Sequence, residues 1–140
     1  MKKAVTGVIS ITVIVAISYM GYSFYQYSMR LQAFAYTAKG LSVYANDIPP
    51  GICQKISNGM NVSMTPDMIS QRINFLSQEQ AKKWDEYFRS MSSASAQQQR
   101  EHFISNHILD LQIDAYKAAQ LKPRWKRPAE FSRDLLNNCM

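Results

Sequence analysis

The chain has 140 residues, and its 16 Lys and Arg against 10 Asp and Glu give a net charge of +6. Three of the basic residues precede residue 31, so the other 110 residues carry 13 basic and 10 acidic side chains. This weak, dispersed surplus argues against nucleic-acid binding, which requires a concentrated basic surface. The 110 residues are enough for one small domain.

An apolar segment without charged residues covers residues 4–27, between Lys3 and Arg30. At about 1.5 Å of rise per residue, a helix of this length spans roughly 36 Å, enough to cross the ~30 Å hydrocarbon layer of a membrane. Aromatic rings with a polar tip favour the headgroup level of a bilayer. The sequence therefore predicts a membrane-spanning helix, with interfacial residues at its carboxyl end: Tyr19, Tyr22, Tyr25, Tyr27 and Arg30.

The same segment also has features of a cleaved signal peptide. Lys2 and Lys3 form a basic start, and the small residues of Ala16-Ile17-Ser18 permit cleavage before Tyr19. The apolar run continues past that site to Tyr27, which favours a retained single-pass anchor with its amino terminus in the cytoplasm. We predict a bacterial inner-membrane protein whose carboxyl-terminal part lies in the periplasm. The alternative is secretion to the periplasm after cleavage.

The helical pattern continues beyond the anchor, which we assign to residues 1–30. Small and apolar residues recur at spacings of three and four from Leu31 to Ala45, and the prolines at 49 and 50 end the pattern. We predict a stalk helix over 31–48 and a small periplasmic helical domain over 49–140.

The rest of the chain predicts further helices and no strand. Thr65 with Pro66 is typical of a helix start, and Ser95 with Gln98 predicts the start of the longest helix, over 96–121. Ser77 with Gln80 predicts another start, for a helix whose buried side comprises Ala81, Trp84, Tyr87, Phe88 and Met91. Pro128 opens a last helix. The predicted fold class is all-α: a transmembrane helix that continues as the stalk, then a bundle of four or five helices closed by one disulfide.

Cys53 and Cys139 are the only cysteines of the chain. An oxidising compartment favours a bond between them. The bond would close a loop of about 86 residues and contribute roughly 4 kcal/mol in the chain-entropy treatment. The absence of a C-x-x-C motif argues against a thiol-redox function.

No motif in the sequence indicates catalysis or a cofactor. His107, Asp110 and Asp114 align at spacings of three and four, but no second cluster completes a metal site, so we interpret the row as a solvated polar helix face. The sequence has no G-x-S-x-G motif and no glycine-rich phosphate loop. We therefore predict that the protein is not an enzyme and binds no cofactor or metal.

The most distinctive segment after the anchor is 122–128, in which four cations and a tryptophan lie between and beside two prolines. Trp125 at the membrane interface, with cations on anionic lipid, is one interpretation, and docking to an acidic partner is another. The alternative is an ordinary helix connection whose tryptophan packs on the domain. The candidate contact residues are Lys122, Arg124, Trp125, Lys126 and Arg127.

Two function classes fit these features. The first is a membrane-anchored protein-binding module, an accessory or regulatory subunit of an envelope complex in secretion, conjugation, pilus assembly or signalling. A stalk favours it, because a fixed height above the membrane is useful only where a partner is present. The second is a periplasmic immunity or inhibitor protein against an exported toxin or hydrolase, which the small size, the disulfide and the lack of catalytic motifs fit equally well.

The topology can be tested with a reporter that is active only outside the cytoplasm. Fused after Met140, the reporter should be active, because the basic start keeps the amino terminus inside. The protein should also stay with membranes after carbonate washing. A soluble chain that begins at Tyr19 would contradict the anchor but not the compartment.

Overall fold

The computed structural model describes residues 2–60, 64–122 and 130–139. Within these ranges the chain forms helices and no strand, which confirms the all-α prediction. The helices are α1 (Lys2–Ser42), α2 (Ile52–Gly59), α3 (Pro66–Ser90), α4 (Ala96–Ala119) and α5 (Ser132–Asn137).

Helix α1 is a single element of 41 residues. At 1.5 Å per residue it is about 60 Å long, twice the thickness of a bilayer's hydrocarbon layer. The mean hydropathy of its most apolar window is 2.0, and no residue of that window is buried within the protein. Among the described residues, α1 is the one helix long and apolar enough to span a membrane. Its length leaves a second half for packing within the protein.

That second half of α1 belongs to the protein core. Phe34, Ala38 and Leu41 are at most 1% exposed and join a buried cluster with Leu111 and Ala115 of α4. The apolar stripe of the predicted stalk is therefore covered by α4. The helix also ends earlier than predicted, at Ser42, because turns from Leu41 to Asp47 replace its last predicted residues.

Helix α4 lies between α1 and α3 and is antiparallel to both. On one side, the Thr37 hydroxyl of α1 donates to Asp114, and the ring of Tyr44, just after α1, contacts that of Phe103. Later residues of α1 therefore lie beside earlier residues of α4. On the other side, Ser70 pairs with Gln120, and Lys83 with Ser105. Helices α1 and α3 therefore run parallel to each other on two flanks of α4.

Capping chemistry sets the first residues of α3 and α4. The Thr65 hydroxyl accepts from the Met68 amide at 3.2 Å, and Pro66 occupies the first turn. Ser95 and Gln98 form the predicted reciprocal capping box. Both predicted starts are confirmed.

The predicted restart at Ser77 is wrong, because α3 continues without a break from Pro66 to Ser90. A capping residue needs non-helical backbone, and Ser77 lies inside the helix. The predicted buried side is also wrong for several residues. Ala81 is exposed, Trp84 and Tyr87 are half-buried, and Phe88 and Met91 are 63% and 46% exposed.

The carboxyl-terminal residues return to the start of the domain. Gly51, with φ of +71°, turns the chain into α2 in a conformation that favours glycine. Helix α2 packs against α5, and Cys53 is bonded to Cys139 with their Cα atoms 6.3 Å apart, within the usual range for a disulfide. The predicted bond is confirmed.

The substitutions Cys53→Ser and Cys139→Ser should each lower the melting temperature and protease resistance to a similar degree. The double variant should be little worse than either single one, because both changes delete the same covalent bond. Thermal melts and limited proteolysis measure the effect. Free thiols titrating in the folded protein would contradict it.

Candidate functional site

The tyrosines predicted to lie at the membrane interface have two different environments. Tyr19, Tyr22 and Tyr25 are 58% to 71% exposed along α1. Tyr27 is only 7% exposed, and its hydroxyl donates to the Asp134 carboxylate at 2.6 Å. Tyr27 is therefore a core residue that binds α1 to α5. The interfacial assignment stays a prediction for the three exposed tyrosines and for Arg30, which is also exposed.

Lys122, predicted to contact lipid or a partner, is held by contacts within the chain. Its ammonium lies 4.4 Å from the centroid of the Tyr27 ring, 3.5 Å from the Glu130 carboxylate and 3.7 Å from that of Asp134. Its side chain is 18% exposed. Little of the Lys122 side chain is therefore accessible to a lipid or a protein partner.

The remaining candidate contacts of the 122–128 segment lie outside the described residues. Their lipid or partner contact stays a prediction. They are Arg124, Trp125, Lys126 and Arg127.

The row formed by His107, Asp110 and Asp114 is not the solvated face that its spacing suggested. Asp110 accepts from the side-chain amide of Gln80, and the His107 Nδ1 atom lies 3.1 Å from the other carboxylate oxygen. Asp114 accepts from the Thr37 hydroxyl at 2.8 Å. The row is half-buried because α1 and α3 approach it from both flanks. Within the described ranges, no three His, Cys, Asp or Glu side chains are grouped to hold a metal ion.

Burial raises the pKa of the Asp114 carboxyl above its ordinary value of 3.8, because the ionised form loses hydration between α1 and α4. The hydrogen bond from Thr37 and the positive charge of Lys117 oppose this increase. Repulsion by Asp110 adds to it, and the positive charge of Arg30 opposes it. The ionised carboxylate therefore destabilises the fold at neutral pH.

A continuous series of ring contacts joins α3 to α4 at the end of the domain far from Tyr27. The Trp84 ring stacks on Phe88 at 5.8 Å and meets His107 edge-on at 6.3 Å. Tyr87 contacts His102 at 6.2 Å. We call this set the aromatic cluster; its members are Trp84, Tyr87, Phe88, His102, Phe103 and His107.

The aromatic cluster forms a firm but accessible surface. Phe88 is 63% exposed and the other members are half-buried, so each ring is held by a neighbour while part of it faces solvent. Aromatic side chains with few rotatable bonds contribute strongly to protein–protein binding. This arrangement can bind a partner.

The sequence contained a signal for this surface that periodicity alone did not reveal. The buried residues Ile69 and Leu76, with the half-buried Ile73 between them, lead at helical spacing to Gln80, whose side-chain amide donates to Asn106 and Asp110 of α4. A polar residue at that position indicates that apolar packing weakens there. The aromatic residues of the next turns therefore reach the surface.

Searches with the whole sequence and structure give no relative: no protein-family model, curated protein or solved structure matches the chain.

Asp114→Asn should raise the melting temperature at pH 7, because the neutral amide avoids the burial cost of a carboxylate and can still accept from Thr37. The pKa of Asp114 is higher in the folded state, so the folded wild type gains stability as the pH falls through that value. The difference between the proteins should therefore shrink as the pH approaches 3.8.

Circular-dichroism melts at pH 7 and pH 4 measure this difference. The matched control is Asp85→Asn, since the Asp85 side chain is 60% exposed and pairs only with Arg89 on the same helix among the described residues. If Asp114→Asn were less stable than wild type at pH 7, the Asp114 charge would instead stabilise the fold.

Proposed function

We propose that the protein is a membrane-anchored periplasmic protein-binding module, an accessory or regulatory subunit of a bacterial envelope complex. It acts by binding and not by catalysis. The aromatic cluster is the observation that carries this proposal, because it supplies an exposed, pre-organised surface of the residue types that dominate protein interfaces.

Helix α1 supports the anchored part of the proposal. One continuous helix carries both the apolar segment and the buried stripe that packs on α4. The contacts of Tyr27 with Lys122 and Asp134 hold the domain against that helix at the end of the apolar segment. These contacts give the domain a defined orientation relative to α1, which supports the proposed anchoring.

The height of the binding surface follows from α1. Ser42 lies 15 residues beyond Tyr27, so the helix rises about 22 Å between them. The aromatic cluster is near this upper end, since Tyr44 packs on Phe103. A surface at this distance suits a neighbouring envelope protein and is beyond the reach of lipid headgroups.

The disulfide supports the proposed compartment. Cys53 and Cys139 are bonded, and such bonds persist in oxidising environments. An inhibitor of an exported toxin would also benefit from the disulfide. Inhibition of a toxin does not require a helix that holds the domain at a fixed distance from the membrane. The continuous helix α1 therefore favours the accessory-subunit proposal.

Phe88→Ala should lower the affinity for the partner by about tenfold or more, because Phe88 is an exposed ring held by Trp84. The partner is first identified in intact cells by a photo-crosslinking amino acid placed at residue 88. The affinity is then measured with the purified full chain in detergent.

Phe75 provides the matched control. It lies on the same helix, is 51% exposed and is outside the aromatic cluster. Phe75→Ala should leave binding unchanged, and a crosslinker at residue 75 should give no adduct. Equal adducts from both residues, or none from residue 88, would contradict the proposed surface.

A further inference from the structure

A groove of about 380 Å³ lies between α1 and α4, beside the aromatic cluster. Its walls include the rings of Tyr36, Tyr44 and Phe103, and its polar side chains include His107 and Asp110. It shares Phe103 and His107 with the cluster. The groove and the cluster therefore form one continuous surface.

The groove has a fixed negative charge. The Asp110 carboxylate is held by the Gln80 amide through one oxygen and faces His107 through the other. Its side chain is still 38% exposed. No lysine or arginine is among the described residues that line the groove. The imidazole of His107 is therefore the one basic group beside Asp110 among the described residues of the lining.

The rings provide a second source of attraction for a cation. Tyr36 is 82% exposed, and the face of a tyrosine ring attracts cations through its quadrupole. Tyr44 already has a guanidinium over its ring, that of Arg100, at 5.2 Å. Arg100 lines a neighbouring cavity and not this groove. Aromatic faces beside a carboxylate suit a planar guanidinium, which can stack and donate two hydrogen bonds at once.

The groove is open from the side of α1. Gly40 lines it, and a Cβ atom added at Gly40 would meet no heavy atom within 4 Å. Tyr36 and Gly40 lie nine and thirteen residues beyond Tyr27, a rise of roughly 14 and 20 Å along α1. These rises place the groove well above the exposed tyrosines of α1, which favours a protein occupant over a lipid headgroup.

We propose that the groove receives an arginine side chain of the protein partner, with the guanidinium between the Tyr36 ring and the Asp110 carboxylate. This inference rests on the proposed function and names the chemistry of the partner. The neighbouring aromatic cluster then packs on the apolar residues around that arginine.

Titration of the full chain in detergent with n-butylguanidinium tests the groove, because this probe carries the arginine head and stem. Aromatic NMR signals of Tyr36, Tyr44 and Phe103 should shift and saturate. n-Butylurea, which has nearly the same planar shape but no charge, should cause little shift at the same concentrations.

Two substitutions in the groove should lower the affinity for n-butylguanidinium, and one substitution outside the groove should not. Asp110→Asn should reduce the affinity about tenfold by removing the charge-assisted hydrogen bonds. Tyr36→Ala should reduce it about three- to fivefold through the lost cation–ring contact. Because Tyr36 is 82% exposed, that variant should keep the wild-type melting temperature. Phe75→Ala should bind the probe as wild type does.

An equal response to butylurea, shifts that do not saturate, or affinities unchanged by both groove substitutions would overturn the inference. Those results would leave the proposed function standing if crosslinking through residue 88 still identifies a partner. Loss of the crosslink with an intact guanidinium response would instead contradict the aromatic cluster as the binding surface.

Discussion

The structure depends on the packing of one stripe of α1 against α4. Phe34, Ala38 and Leu41 are nearly inaccessible to solvent, and they lie on the same unbroken helix as the apolar segment. Full burial of a side chain as large as that of Phe34 or Leu41 contributes about 1.5–3 kcal/mol. Because the stripe fixes α4 antiparallel to α1, it also determines where α3 can pack. The aromatic cluster at the far end of the domain follows from that arrangement.

The capping residues in the sequence predicted the starts of two helices correctly. The sequence did not predict which helices pack against each other. Thr65 and Ser95 form the caps that their sequences indicate, because a cap involves residues only three positions apart. Ser77 has similar neighbours and lies inside α3, since packing along α4 keeps the helix continuous. The spacing of apolar residues beyond residue 30 predicted an apolar face on α1. Such spacing does not indicate which helix covers that face.

The candidate site was predicted less well, for a related reason. A tyrosine ring suits both a membrane interface and a polar core contact, so Tyr27 could not be separated from Tyr19 by residue type. Its partner, Asp134, is 107 residues away in sequence. In α3, Trp84 and Phe88 repeat at helical spacing, which is typical of a core. Their exposure depends on how much of α3 the neighbouring helices cover.

The contact between Tyr27 and Asp134 joins residues 107 positions apart in sequence. Residues 53 and 139 are also joined across 86 positions, so the core combines the beginning and the end of the domain. Contacts of such high sequence separation form late, after the cost of closing a long loop. During synthesis the stripe of α1 is made first and stays uncovered until α4 is made. A chain truncated before α5 would keep the stripe packed on α4 but would lose Asp134, the hydrogen-bond partner of Tyr27, and the Cys53–Cys139 bond.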